Sequence, residues 1–126
     1  MDVNLINVIT LAYVGDAVYE VYVREYLIRN GIAKVEELQK EAVKYVSAKS
    51  QCKILTYLID NKILTDIELD IVKRARNTNI HTKAKNYSIE EYRHATALEA
   101  LLGFLYLSNQ HERLKFIISN INIGEE

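Results

Sequence analysis

Two carboxylic acids stand where the chain otherwise reads as core. Asp16 is flanked by Tyr13, Val14, Gly15, Ala17 and Val18, and Glu99 lies within Ala95-Thr-Ala-Leu-Glu-Ala-Leu-Leu-Gly-Phe-Leu-Tyr106. An ionised carboxylate taken out of water is costly, so such groups are normally paired, metal-bound or protonated. Gly15 adjoins Asp16, and Gly103 follows Glu99 by one helical turn. Lacking side chains, these glycines would let two helices approach closely and bring the acids together. Mg²⁺ takes oxygen ligands, usually one or two carboxylates with water and phosphate, so two converging acids are a sensible minimum for metal-assisted phosphodiester hydrolysis. On spacing alone an ion pair with Arg24 or Arg93 is the commoner explanation. Glu20, one turn beyond Asp16 on the same helical face, reads as a supporting group of such a site or as the salt-bridge partner of Arg24, with the structural role favoured.

A second cluster is basic. From Ile71 to Ile89 there is no acidic residue, while Lys73, Arg74, Arg76, Lys83 and Lys85 are all positive and His81 and Asn77 lie among them. Phosphate contacts from such a stretch give salt-dependent, largely sequence-independent affinity. An ordinary solvated loop has the same composition, so the cluster gains meaning only beside a catalytic site. Lys49 and Lys53, one turn apart, are weaker candidates for the same role. His81, His94 and His111 are scattered at no metal-ligand spacing; His94 is expected near the acidic helix and the others on the surface. No Ser/His/acid arrangement can be argued from spacing. The tyrosines at 19, 22 and 26 recur at helical intervals and are expected in core or subunit contacts.

The elements that must position these residues are helical. Residues 4–29 are apolar around most of the circumference, which predicts a central helix packed on several sides and stopped at Asn30-Gly31. Val35, Leu38, Ala42, Val43 and Val46 make the stripe of a second helix over 35–45. Ser47 is placed to cap a third through Ile59, with Ala48, Cys52, Leu55 and Ile59 as its apolar stripe. Thr65-Asp-Ile-Glu68 and Ser88-Ile-Glu-Glu91 fit the capping-box pattern and open helices over 66–76 and 89–107. A last helix is predicted over 110–121. The polar interval 77–87 is the candidate functional loop.

Composition agrees. The 126 residues are 49% hydrophobic and 26% charged, with no Pro and four Gly, which disfavours a β-sandwich or barrel. The prediction is one all-α domain, residues 1–126, of six or seven helices. The net charge of −1 excludes a generally polycationic nucleic-acid binder, so any such site must be local. Cys52 stands alone, which excludes an internal disulfide and a Cys/His zinc cluster and fits a reducing cytoplasmic setting. The apolar stretch Val3–Val23 contains Asp16 and Glu20 and has no basic leader, so no signal peptide or membrane span is expected.

Leu11-Ala-Tyr-Val-Gly-Asp-Ala-Val18 resembles the signature helix of ribonuclease III, and Thr96-Ala-Leu-Glu-Ala-Leu-Leu-Gly103 resembles that family's second acidic helix. Tyr19-Glu-Val-Tyr-Val-Arg24, Val46-Ser-Ala-Lys-Ser-Gln51, Lys73-Arg-Ala-Arg-Asn77 and Tyr92-Arg-His-Ala-Thr96 extend the likeness, in order and over nearly the whole chain, to the short bacterial Mini-ribonuclease III group. The resemblance implies the ribonuclease III endonuclease fold, a homodimer with one active site per protomer, and Asp16 and Glu99 as catalytic Mg²⁺ ligands. It also implies cleavage of double-stranded RNA to a 5′ phosphate and a 3′ hydroxyl, in maturing the large-subunit (23S) ribosomal RNA precursor. Tyr13 takes a position where the family suggests an aromatic contact across the dimer, a core role being nearly as good a reading.

The departures are specific. The larger enzymes carry acids four and seven residues before the aspartate, here Ala12 and Ile9, and three residues before the glutamate, here Thr96. The ligand set is therefore reduced, with Glu20 and Thr96 as candidate supporting residues around it. The short group lacks a separate double-stranded-RNA-binding domain, so affinity is expected from Lys49, Lys73, Arg74, Arg76, Asn77, Lys83 and Lys85, or from a ribosomal protein that presents the substrate. Two alternatives remain at this stage. One is a non-catalytic RNA-binding or ribosome-associated protein of the same fold, and the other is a helix-turn-helix DNA binder using residues 47–76.

Overall fold

A computed structural model describes residues 1–78 and 88–125. Among them lie six α-helices and no strand: α1 (Val8–Arg29), α2 (Val35–Val46), α3 (Ala48–Asp60), α4 (Asp66–Asn77), α5 (Ile89–Leu107) and α6 (His111–Ile118), with 3-10 turns at Val3–Leu5 and Ile121–Gly124. The all-α class follows directly. Lys83 and Lys85, with His81 and most of the interval 77–87, fall outside the described residues.

Local chemistry sets most boundaries. Both capping boxes form, Thr65 with Glu68 and Ser88 with Glu91, each hydroxyl taking an N–H of the first turn while the glutamate returns to the cap N–H. Ser47 accepts from the Ser50 N–H and starts α3. Gly31 follows α1 with φ +94°, a backbone conformation L side chains rarely adopt. Two predicted spans are shorter. α1 begins at Val8 because Asn7 and Asp2 accept backbone N–H groups at successive caps, which splits residues 3–7 off as a 3-10 turn and its linker. α6 ends at Ile118 because the Asn120 side chain donates to the carbonyls of Phe116 and Ile117, and the chain continues as a 3-10 turn.

The centre of the fold is α5, which corrects the expectation for α1. From Ala95 to Phe104 every residue of α5 but Glu99 is buried, and α1, α3, α4 and α6 all pack on it. α1 buries Leu11, Gly15, Val18, Val23 and Leu27 on one side, but leaves Ile9, Tyr13, Val21 and Ile28 exposed on the other. The physical reason is charge: α1 carries Asp16, Glu20, Arg24 and Glu25, whereas α5 beyond His94 has only Glu99. Two stripes are also rotated from expectation. In α2 only Tyr45 is buried, with Val35 and Val43 exposed. In α3 the core face is Ile54, Leu55 and Leu58 together with Ser50 and Gln51, while Cys52 and Ile59 are only half-buried. α3 and α4 pack on α5 rather than chiefly on each other, which argues against a helix-turn-helix pair.

One tie escaped sequence reasoning. Glu68, besides closing its capping box, accepts from Arg113 of α6 at 2.7 and 2.8 Å, and Arg113 also donates to the Ile63 carbonyl. Burial acts to raise the Glu68 pKa, but the Arg113 and Thr65 hydrogen bonds overcome it and hold the carboxyl below its ordinary value.

Candidate active site

The two acids meet because α1 and α5 touch backbone to backbone. A Cβ on Gly15 would sit 1.7 Å from the Glu99 carbonyl oxygen, and one on Gly103 would sit 1.9 Å from that of Leu11. No side chain fits at either place. The close approach anticipated from these glycines is therefore present, and it sets Asp16, next in sequence to Gly15, beside Glu99.

The acids differ in their surroundings. Asp16 is exposed at the edge of a trough of about 740 Å³ that Tyr13, Val21, Tyr22 and Tyr106 also line, so it emerges at the surface although Gly15 and Val18 beside it are buried. Tyr13 is 81% exposed, which removes the core reading for that residue. Glu99 is half-buried, and its pKa is pushed up to about 8, first by burial, then by the Asp16 carboxylate and more weakly by Glu20. The Gln51 amide donates to Glu99 Oε2 at 3.3 Å and opposes that shift.

These donors suit a hard cation. Among the described residues no ion pair links Asp16 or Glu99 to a Lys or Arg, so the alternative with Arg24 or Arg93 is not formed. A carboxylate pair held together without a cationic side chain is what a divalent ion relieves, and oxygen-only donors favour Mg²⁺ over softer metals. Among the described residues no group of three His, Cys, Asp or Glu side chains is poised as a complete metal site. The arrangement brings together two carboxylates as oxygen donors.

The other predicted residues are distributed around this pair. Glu20 bonds Arg24 at 3.1 Å, as the favoured structural reading has it, while its charge still reaches Glu99. Thr96 is buried one turn before Glu99. Arg74 pairs with Asp70, and Lys73 and Asn77 are exposed. Arg76 and Asn77 line a cleft of about 330 Å³ with Arg93 and His94. His94 sits on the acidic helix itself, its Nδ1 2.9 Å from the Glu90 carbonyl oxygen. Lys49 and Lys53 share a separate groove on α3.

Gln51 was not singled out by the sequence, although it lies in a segment of the resemblance. The available signal was a polar residue three and four positions before Ile54 and Leu55, on what proves to be the buried face.

Comparison with known proteins fits this arrangement. The ribonuclease III domain family model matches residues 9–110. The Mini-ribonuclease 3 of Streptococcus pneumoniae is 48% identical over 94% of this chain and 93% of its own. That of Staphylococcus aureus is 47% identical over 94% and 89%. A crystal structure of a Fusobacterium nucleatum protein superposes with a TM-score of 0.81 at 35% identity, covering 90% of each chain. With the acidic pair held on the two helices that carry the family's motifs, and with these matches spanning nearly its whole length, the chain belongs to the ribonuclease III family, in its Mini-ribonuclease 3 branch.

Proposed function

We propose that residues 1–126 form one catalytic domain, an Mg²⁺-dependent endoribonuclease that hydrolyses double-stranded RNA with Asp16 and Glu99 as its metal-holding carboxylates. The observation that carries this is the approach of the two acids across the Gly15–Gly103 contact. Bound Mg²⁺ would supply Lewis acidity at the phosphate and lower the pKa of an attacking water. The protein's own part is to hold two oxygen donors at fixed separation, Glu99 within the fold and Asp16 at the surface where a phosphodiester can reach. Arg76, Asn77, Lys73, Arg74 and Lys49, with Lys83 and Lys85, would grip the duplex backbone. Double-stranded RNA suits such residues because it is recognised mainly through shape, 2′-hydroxyls and phosphates.

The exposed trough beside Asp16 supports a homodimer. Tyr13, Val21 and Tyr106 are apolar, exposed and contiguous with the acid. A second copy facing the same trough would bury this surface on both protomers in one isologous contact. The proposed setting is the cytoplasm and the substrate a 23S ribosomal RNA precursor, with a ribosomal protein proposed to present it. No helix among the described residues is long and apolar enough to cross a membrane.

The test is cleavage of several RNA duplexes by purified protein in Mg²⁺, in EDTA, and as Asp16→Asn and Glu99→Gln variants. Cleavage by wild type in Mg²⁺ alone is expected, with each variant reduced by at least about a hundredfold, a loss of roughly 2.7 kcal/mol of transition-state stabilisation. The reduced ligand set favours one rival, a non-catalytic RNA-binding protein of the same fold. Wild type that binds duplexes but leaves all of them intact would establish the rival instead.

A further inference from the structure

We propose that Gln51 is a positioning residue, whose side-chain amide ties Glu99 to the end of α2 and so holds that carboxylate turned toward Asp16. The inference rests on the reading that Asp16 and Glu99 bind the cation, and concerns how the pair is kept ready for it.

Gln51 is 3% exposed, and its Nε2 donates in two directions: to the Val46 carbonyl at 3.0 Å and to Glu99 Oε2 at 3.3 Å. Val46 is the last residue of α2, so its carbonyl is one that no N–H within the helix can reach. The amide thus satisfies an orphan acceptor and a carboxylate with the same nitrogen. Its Oε1 is buried and has no hydrogen-bond partner among the described residues. Turning the amide over would set an oxygen against two acceptors, so the chemistry dictates which end faces Glu99.

The backbone behind Gln51 is also fixed. Ser50 donates through Oγ to the Gly124 carbonyl, and a Cβ on Gly124 would meet both Ser50 and Ile54. The C-terminal 3-10 turn therefore seats directly on the residue preceding Gln51. Such support matters because Asp16 and Glu99 repel when ionised, and a glutamate has several torsions by which to swing away. A donor on Oε2 resists that swing.

The experiment measures Mn²⁺ binding to the full chain by electron paramagnetic resonance without RNA, for wild type, Asp16→Asn and Gln51→Met. The methionine keeps length and apolar bulk but donates nothing. Gln51→Met is expected to weaken Mn²⁺ binding about 10- to 100-fold, as loss of a group supporting a metal ligand does. Duplex binding in EDTA should stay within about twofold, and cleavage should recover at raised Mn²⁺. Unchanged Mn²⁺ affinity in a folded Gln51→Met, with only the melting temperature lowered, overturns the inference alone. Wild type that binds no Mn²⁺, or Asp16→Asn that binds it equally well, overturns the metal reading and this inference with it. Should Gln51→Met fail to fold, wild-type nuclear magnetic resonance decides. The Gln51 side-chain amide pair must shift on Mg²⁺ saturation in wild type and stay still in Asp16→Asn, and a pair unmoved in wild type overturns the inference.

Discussion

Glu99 works against the fold that holds it. Burial and the neighbouring Asp16 raise its pKa from 4.5 to about 8, so the folded chain binds a proton there that the unfolded chain releases earlier. The stabilisation from that proton is complete below the unfolded value and is lost as pH rises through the folded one. Removing the charge should reverse this. At about 1.4 kcal/mol per pKa unit, discounted for partial exposure, Glu99→Gln should be roughly 2–4 kcal/mol more stable than wild type near pH 9 in EDTA. Near pH 4.5 the two should nearly coincide. Denaturant titrations at both pH values check this, and equal stability at both would mean that Glu99 is not strained by its surroundings. Sequence alone showed that Glu99 was out of place, because it interrupts a long apolar run. It did not show Gln51, whose partner Glu99 lies 48 residues along the chain and whose polar side chain disguises the buried face of α3.

At the scale of the elements, the Gly15–Gly103 contact fixes how α1 crosses α5. A methyl at either position meets backbone atoms, which cannot rotate aside as a side chain can. Gly15→Ala is therefore expected to cost about 1–3 kcal/mol, the range for overpacking, and to reduce cleavage further than its stability loss explains, because α1 must lift off Glu99. Gly31→Ala is a useful contrast: the left-handed φ makes it strained, yet nothing lies near its Cβ and it is remote from the acids. It should lower the melting temperature and leave kcat in place. If Gly15→Ala proved as active per folded molecule as Gly31→Ala, the contact would have no part in catalysis. The starts of α3, α4 and α5 were readable beforehand because capping is a matter of neighbours within four residues. Which helix lies at the centre was not, since periodicity reports where apolar residues fall but not which face finds a partner. Hence the central place expected for α1 belongs to α5.

For the molecule as a whole, the exposed apolar face of α1 is the feature that a lone protomer explains least. Tyr13 and Val21 are 81% and 65% exposed and flank the surface where Asp16 emerges. If two copies meet there, dimer assembly and activity should fall together. Tyr13→Lys combined with Val21→Lys should convert the protein to monomer in sedimentation equilibrium at micromolar concentration, with its helical circular dichroism retained and cleavage strongly reduced. A double variant that stays dimeric would move the interface elsewhere. The sequence offered Tyr13 both as core and as contact, and only exposure separates these. The local positive charge was readable from a run without acids, of which Lys73, Arg74 and Arg76 lie on α4.

The backbone contact between α1 and α5 also bears on how the site is lost. Because main chain rather than side chains sets the spacing of α1 and α5, partial melting of α2 or of the chain ends leaves that spacing intact while freeing Glu99 from the Gln51 amide. The amides of Gly15 and Gly103 should exchange with deuterium only through global opening. If Asp16 and Glu99 hold the cation as proposed, its affinity should then fall in two stages, weakening as α2 or the chain ends loosen and vanishing only in the cooperative transition of the fold.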